Sequence, residues 1–227
     1  MSPSILIVAA TRGEAEVVNK ITDVNTGSGI MNFMGKELNV LVTGVGTVAT
    51  AWAMTKMISS GARPDMAINI GIAGSFRDEI LTGSVVLPVS ECFADAGIDS
   101  GNGFLTLSEA GLQDPDRFPF SRGRLNAENK YVNMISGAFP TVNAITVNTA
   151  SGSDDRIRNL EAKFNPDIET MEGAAFFYVC LMEGIPFIAL RGISNRVEIR
   201  NKRKWDINLA LKSLSDGLKE TLLLIDK

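Results

Sequence analysis

Two stretches of the sequence carry side chains that could do chemistry together. In Asp167 to Asn195, which reads DIETMEGAAFFYVCLMEGIPFIALRGISN, Glu169 and Glu172 stand at the start of one apolar run, and Arg191, Ser194 and Asn195 stand at the end of a second. Near the N-terminus, Glu14 and Glu16 follow the turn Thr11 to Gly13. A carboxylate at a helix start often does no more than answer the helix dipole. Here, however, hydrogen-bonding side chains converge on one end of two adjacent elements. Carboxylates so placed can activate water or steady positive charge on a substrate, and a nearby arginine keeps them ionised. Asn195 adds one donor and one acceptor. The chain contains no histidine, so proton transfer near neutral pH falls to carboxylates, amides, lysine, tyrosine or ordered water. Histidine triads and histidine metal sites are excluded, and neither a metal nor a cofactor is expected.

The elements that must position these residues follow from hydrophobic periodicity. Met171 to Met182 leaves almost no polar face and reads as a buried helix, ended by Gly184 and Pro186. Ile185 to Leu190 reads as a strand covered on both faces, which puts Arg191 to Asn195 at the rim of a sheet. In open α/β sheets that rim, at the carboxyl ends of strands, is where ligands bind. Ser4 to Ala10 predicts a first buried strand, and a helix near Glu14 shows Val17, Val18 and Ile21 on one face. A hairpin is expected around Gly35-Lys36, then a helix over Thr47 to Ser59 opened by Gly44-x-Gly46. That turn superficially fits a dinucleotide fingerprint, but it lacks the third glycine and the acidic residue after the next strand. Met66 to Ile70 predicts another strand, followed by the small-residue turn Gly71 to Gly74. Gly83 to Phe93 predicts a long strand whose Pro88 calls for an edge or a bulge. Ala94 to Arg124, with Phe104, Phe118 and Phe120, reads as a surface excursion. Asn143 to Thr149 and a polar helix ending near Phe164 follow. Trp205 to Leu224 closes the chain as an amphipathic helix.

The length of 227 residues suits one large α/β domain, and no linker divides it. A net charge of −4 with scattered basic residues gives no surface for nucleic acid. Cys92 and Cys180 lie in apolar surroundings without motif spacing, as core residues of a reducing compartment would. No signal peptide and no run of membrane-spanning length is visible, so a soluble cytoplasmic protein is expected.

The segments AATRGEAEVV, VTGVGTVATA, NIGIAGS, TMEGAA and RGISN, in this order, resemble the landmarks of the nucleoside phosphorylase/hydrolase superfamily over residues 4 to 225. The resemblance implies a single catalytic domain over residues 1–227, a three-layer α/β/α sandwich with a central mixed twisted sheet. It also implies a homodimer in which an aromatic from the excursion reaches the neighbouring subunit. It implies that Glu14, or alternatively Glu16, activates water, helped by Arg191. Met171 would pack on the sugar, Glu172 would hold the ribose, and Ile72, Ala73 and Gly74 would let the substrate lie on the backbone. Arg191, Ser194 and Asn195 would form the purine turn, with Ala150 and Ser151 packing on the base where many relatives use an aromatic.

Phosphorylases of the superfamily usually carry an arginine near NIGIAGS. Its absence there favours water as nucleophile, while Arg12 and Arg77 leave phosphate open. Asn195 stands where adenine-specific relatives place an aspartate, which favours a 6-oxopurine. RGISN with VEIRNKRKW behind it most resembles the futalosine hydrolases of the alternative menaquinone pathway, whose substrate carries a benzoate on its five-prime side. The charges from Arg196 to Lys204, Arg200 among them, are then either a cationic lid for that anionic substituent or a solvated loop. The expected partner is a small purine nucleoside with an anionic five-prime group, without nucleic acid or membrane. A phosphate-dependent 6-oxopurine nucleoside phosphorylase, a methylthioadenosine/S-adenosylhomocysteine nucleosidase-like hydrolase and a non-catalytic nucleoside-binding domain remain alternatives.

Overall fold

The apolar runs become the strands of one sheet, and two of them extend well past their apolar residues. The computed structural model describes residues 4–24, 31–101, 103–199 and 201–225. In chain order these form β1 (Ser4–Ala9), α1 (Arg12–Asn19), β2 (Asp23–Val24), β3 (Met31–Phe33), β4 (Lys36–Val42), α2 (Thr47–Ser59) and β5 (Met66–Ser75). There follow β6 (Val85–Glu91), β7 (Gly97–Asp99), β8 (Phe104–Thr106), β9 (Leu125–Asn126), α3 (Lys130–Ile135) and β10 (Thr141–Thr146). The chain ends with α4 (Asp154–Phe164), β11 (Ile168–Thr170), α5 (Gly173–Glu183), β12 (Phe187–Arg196) and α6 (Ile207–Leu224).

The sheet runs in the order β11-β10-β6-β12-β5-β1-β4-β3-β2, with β9 attached to β6. It is mixed, since β12 pairs parallel with β5 and antiparallel with β6. β11 also pairs antiparallel with the far end of β5, through Ile168 with Ser75 and Glu169 with Gly74. The strands β5, β12, β6, β10 and β11 thereby close into a ring. Its interior is filled by Ala73, Val86, Val142, Ala144, Ile168 and Ile193, all buried and drawn from all five strands. The larger core lies between the sheet and its helices, where α1 and α3 pack with α6, and α2 packs with α5. This is the α/β/α arrangement expected. Among the described residues no helix is long and apolar enough to cross a membrane.

Several boundaries depart from the sequence reading. Gly71 to Gly74 is not a turn but the continuation of β5, and Arg191 to Asn195 lies inside β12, because these two strands pair with each other along their whole length. Backbone pairing at the centre of a sheet outweighs the turn preference of glycine, serine and asparagine. Between Ile193 and Asn195 the register against β5 slips by one residue, a bulge at Ser194. Pro88 follows the second of its two expected alternatives: it pairs with Val142 of β10 next to a bulge, where the register slips before Asn143 meets Ser90. Glu169 belongs to β11 and not to a helix start, and the excursion contains the hairpin β7-β8.

Candidate active site

Glu14 is placed by the first turn of α1. Thr11 caps that helix, and the two residues form a reciprocal capping box. The Thr11 N–H and hydroxyl both donate to Glu14 Oε2, at 3.0 and 2.8 Å. Glu14 Oε1 accepts from the Ile72 N–H at 3.1 Å, which ties α1 to β5. The carboxylate is only 8% exposed, whereas Glu16, the alternative, is exposed. A Cβ on Gly71 would stand 3.1 Å from Glu14 Oε1 and 3.7 Å from Arg191 Nε, so the glycine permits their close approach.

Arg191, 2% exposed, lies in β12 behind this carboxylate. Its guanidinium makes its hydrogen bonds to oxygens of the strands and, among the described residues, to none of the carboxylates. It donates to the carbonyls of Asn69 and Leu190, at 3.2 and 3.0 Å, and to the Asn69 side-chain oxygen. Asn69 in turn donates to the Val8 carbonyl at 2.9 Å and so brackets three strands. Burial lowers the Arg191 pKa, and the fields of Glu91, Glu172 and Glu14 oppose that shift. Arg191 thus acts on the carboxylates through space.

Glu172 is the residue that starts α5, and its Oε1 accepts from the Gly46 N–H at 2.8 Å, at the opening of α2. Burial raises its pKa, opposed by that hydrogen bond and by Arg191. Glu169 accepts from the backbone N–H of Ser151 at 2.9 Å and from its hydroxyl, and burial raises its pKa as well. At the bulge, the Ser194 hydroxyl reaches both the Ala73 carbonyl, at 3.3 Å, and Asn195 Oδ1, at 2.7 Å. Asn195 Nδ2 donates to the Arg196 carbonyl at 2.7 Å. Each end of this amide keeps one further hydrogen-bonding position.

A cavity of about 220 Å³ brings these groups together. Glu14, Ile72, Ala73, Gly74, Met171 and Glu172 line it, as do Ala150, Ser151, Ser194 and Asn195. Arg191 stands behind the wall, and Arg200 lies outside the described residues. A wider groove of about 1070 Å³ runs between α4 and the excursion. Its cations Lys163 and Arg156 already face Glu109 and Asp95, at 2.7 and 3.6 Å.

Sequence reasoning missed part of the wall. Val45, Val197 and Trp205 also line the cavity. Trp205 precedes α6, after a single 3-10 turn over Lys202–Lys204, and does not begin the helix. Asp206 holds it there by donating its N–H to the Ser194 carbonyl at 2.9 Å while its side chain caps α6. An aspartate directly before the apolar helical run, Asp206 before Ile207, was the available signal. The charged run is less free than a lid would need: Arg196 pairs with Asp78 at 3.0 Å and Lys204 with Glu198 at 2.9 Å. Of the excursion's phenylalanines, Phe104 packs toward Phe164 and Phe120 toward Tyr178, while Phe118 is 68% exposed.

One pH effect follows from burial. Glu91, wholly buried at the end of β6, is raised from 4.5 to about 7, chiefly by desolvation. A carboxyl whose folded pKa exceeds its unfolded one holds its proton longer in the folded state, so stability falls as pH rises between the two values. The midpoint of thermal unfolding should therefore decline between about pH 4.5 and about pH 7. Glu91→Gln should flatten that decline in a series of melts; an unchanged slope would assign it to other groups.

Comparison with known proteins places the chain in a family. The family model described as the phosphorylase superfamily matches residues 4–227. A futalosine hydrolase of Streptomyces coelicolor is 27% identical over 94% of this chain and 93% of its own length. A 5'-methylthioadenosine/S-adenosylhomocysteine nucleosidase of Shewanella baltica is 28% identical over 99% and 93%. Among solved structures, the nucleosidase of the same name from Neisseria meningitidis, in complex with methylthio-immucillin-A, superposes with a TM-score of 0.79 at 18% identity, covering 97% of this chain and 98% of that one. With its model matched along nearly the whole sequence, the chain belongs to the phosphorylase superfamily.

Proposed function

We propose that this protein is an N-ribosyl hydrolase that cleaves futalosine with water, releasing hypoxanthine and dehypoxanthine futalosine, within the alternative route to menaquinone. The observation that carries the reading is the charge of the cavity wall. Glu14, Glu169 and Glu172 line it, and no lysine or arginine does among the described residues. A bound phosphate needs fixed cationic donors. Arg77, one candidate for that task, is held by Asp167 at 2.9 Å and by Asn165. Arg12 is exposed and lies off the cavity.

Cleavage of the N-glycosidic bond gives the sugar oxocarbenium character and sends the bonding electrons to the purine. Glu172, facing the ribose with Met171, stabilises that positive charge through the sugar hydroxyls. Glu14 takes the proton from the attacking water, whose oxygen bonds to the anomeric carbon. Asn195 donates its free N–H to the six-oxygen of the departing base and accepts from the ring, so negative charge spreads onto oxygen. The base then takes up a proton from water and leaves as hypoxanthine, while Glu14 returns its proton to solvent. Val45, Val197 and Trp205 give the remaining substrate an apolar wall. The five-prime benzoate, the purine and a homodimer with Phe118 at the contact belong to the same reading.

A methylthioadenosine/S-adenosylhomocysteine nucleosidase is the second reading, favoured by the equal similarity of the relative from Shewanella baltica. Base release from futalosine, inosine and methylthioadenosine, each with and without phosphate, separates the possibilities. Hypoxanthine from futalosine, indifferent to phosphate, is expected. Adenine from methylthioadenosine would install the second reading, and phosphate-dependent release from inosine would make the protein a phosphorylase. Asn195→Asp is expected to weaken use of the 6-oxopurine by roughly tenfold or more, as a donor facing oxygen is replaced by a charge. If preference between the two bases does not move, Asn195 does not read the base.

A further inference from the structure

The ends of three neighbouring strands bring Glu91, Thr146 and Thr170 together beneath the start of α5. Glu91 has no part in the chemistry above, yet it is wholly buried. Its Oε2 lies 2.9 Å from Thr146 Oγ1, and its Oε1 lies 3.0 Å from Thr170 Oγ1. The two hydroxyl oxygens are themselves 2.9 Å apart. Each also accepts a backbone N–H of α5: Ala174 donates to Thr146 at 2.8 Å and Gly173 to Thr170 at 3.3 Å. α5 has no side-chain cap at Glu172, so these threonines take over that task.

Three oxygen–oxygen contacts of hydrogen-bond length need three protons, and two hydroxyls supply two. The third must come from Glu91. With its carboxyl protonated the ring closes: the acid donates to one threonine, that threonine to the other, and the second threonine to the remaining carboxyl oxygen. Both threonines still accept their N–H groups. With Glu91 ionised, the hydroxyls both turn to the carboxylate, and two oxygens face each other without a proton between them.

We propose that Glu91 is a positioning residue which, as a neutral carboxylic acid closing a ring with Thr146 and Thr170, caps α5 and thereby holds Glu172 against the ribose. The inference rests on the nucleosidase reading for the role of Glu172. Packing agrees with it, since a Cβ on Gly173 would stand 1.8 Å from Glu91 Oε1. The glycine of the MEGAA segment is thus dictated by the acid beneath it. Desolvation favours the proton on Glu91; Arg191 from β12 and Arg124 from the segment before β9 oppose it, with the neighbouring Cys92 thiol itself raised to about 11 and neutral.

Four variants test the ring. Glu91→Ala and Thr146→Val break it, and each should lower kcat by up to roughly a hundredfold through misplacement of Glu172 while amide exchange at Gly173 and Ala174 accelerates. Glu91→Gln carries a donor on one end and an acceptor on the other, as the neutral acid does, and should restore turnover and protection. Thr146→Ser should do the same. The parent enzyme should lose turnover as pH rises past about 7, and Glu91→Gln should not. If Glu91→Gln is as impaired as Glu91→Ala, a charge and not an acid is required, and the proposal falls. It also falls if Thr146→Val leaves exchange and kcat unchanged. Should Glu91→Ala fail to fold, Thr146→Val and Glu91→Gln decide. If the parent protein hydrolyses no nucleoside, the functional reading fails by itself, and exchange at Gly173 and Ala174 in Thr146→Val and Glu91→Gln judges the ring.

Discussion

Glu14→Gln is expected to lower kcat by about 10²- to 10⁴-fold, the usual contribution of a general base. All three groups that hold this side chain are donors: the Thr11 N–H, the Thr11 hydroxyl and the Ile72 N–H. A glutamine must therefore point its NH₂ at a backbone N–H whichever way it turns. Loss of the base comes with an unsatisfied buried donor, and the variant should also be less stable by about 1–3 kcal/mol. Glu16→Gln, at an exposed position on the same helix, should change neither quantity. Steady-state kinetics with parallel thermal melts distinguish the two. Turnover lost in Glu16→Gln and kept in Glu14→Gln would transfer the water-activating role to Glu16.

Glu172→Gln should fold as the parent does and lose roughly 10²- to 10³-fold in kcat with a smaller change in KM. The side chain accepts from the Gly46 N–H at 2.8 Å, a bond the amide oxygen can take over, so the structure need not move. What disappears is the negative charge facing the sugar, which matters most when the oxocarbenium character develops. The carboxyl has a raised pKa, so the parent enzyme should lose activity on the acid side at a higher pH than an ordinary glutamate would give. That limb should be absent in the variant. Unchanged kinetics would remove Glu172 from the ribose.

Much of this site was legible because its residues stand in short segments with strong local character. Glu14 and Glu172 are tied to helix starts, and helix starts are announced by Thr11 and by the apolar run from Gly173 onward. The strands carrying Ile72 to Gly74 and Ser194 to Asn195 were found but cut short, since their far ends are made of turn-forming residues that only pairing between β5 and β12 holds extended. The bulge at Ser194 is a mismatch between two strands and belongs to neither sequence alone. Glu91 was passed over for the same reason: its partners Thr146 and Thr170 lie 55 and 79 residues away, and no local pattern joins them. Trp205 was read as the first residue of a helix, whereas a bond from Asp206 to Ser194 turns it into the wall.

The last strand in the chain, β12, occupies the middle of the sheet, between β5 and β6. During synthesis the earlier strands therefore wait with a gap between them, and the ring cannot close until residue 187 and those beyond it have left the ribosome. Until then β5 and β6 present open inner edges, the kind of exposed template that invites association between chains. A chain stopped between Glu172 and Phe187 would possess Glu14, Glu91 and Glu172 yet have no Arg191 behind them. Fragments ending there should accumulate as aggregates and not as partly active enzyme, so competence arrives with β12 and all at once.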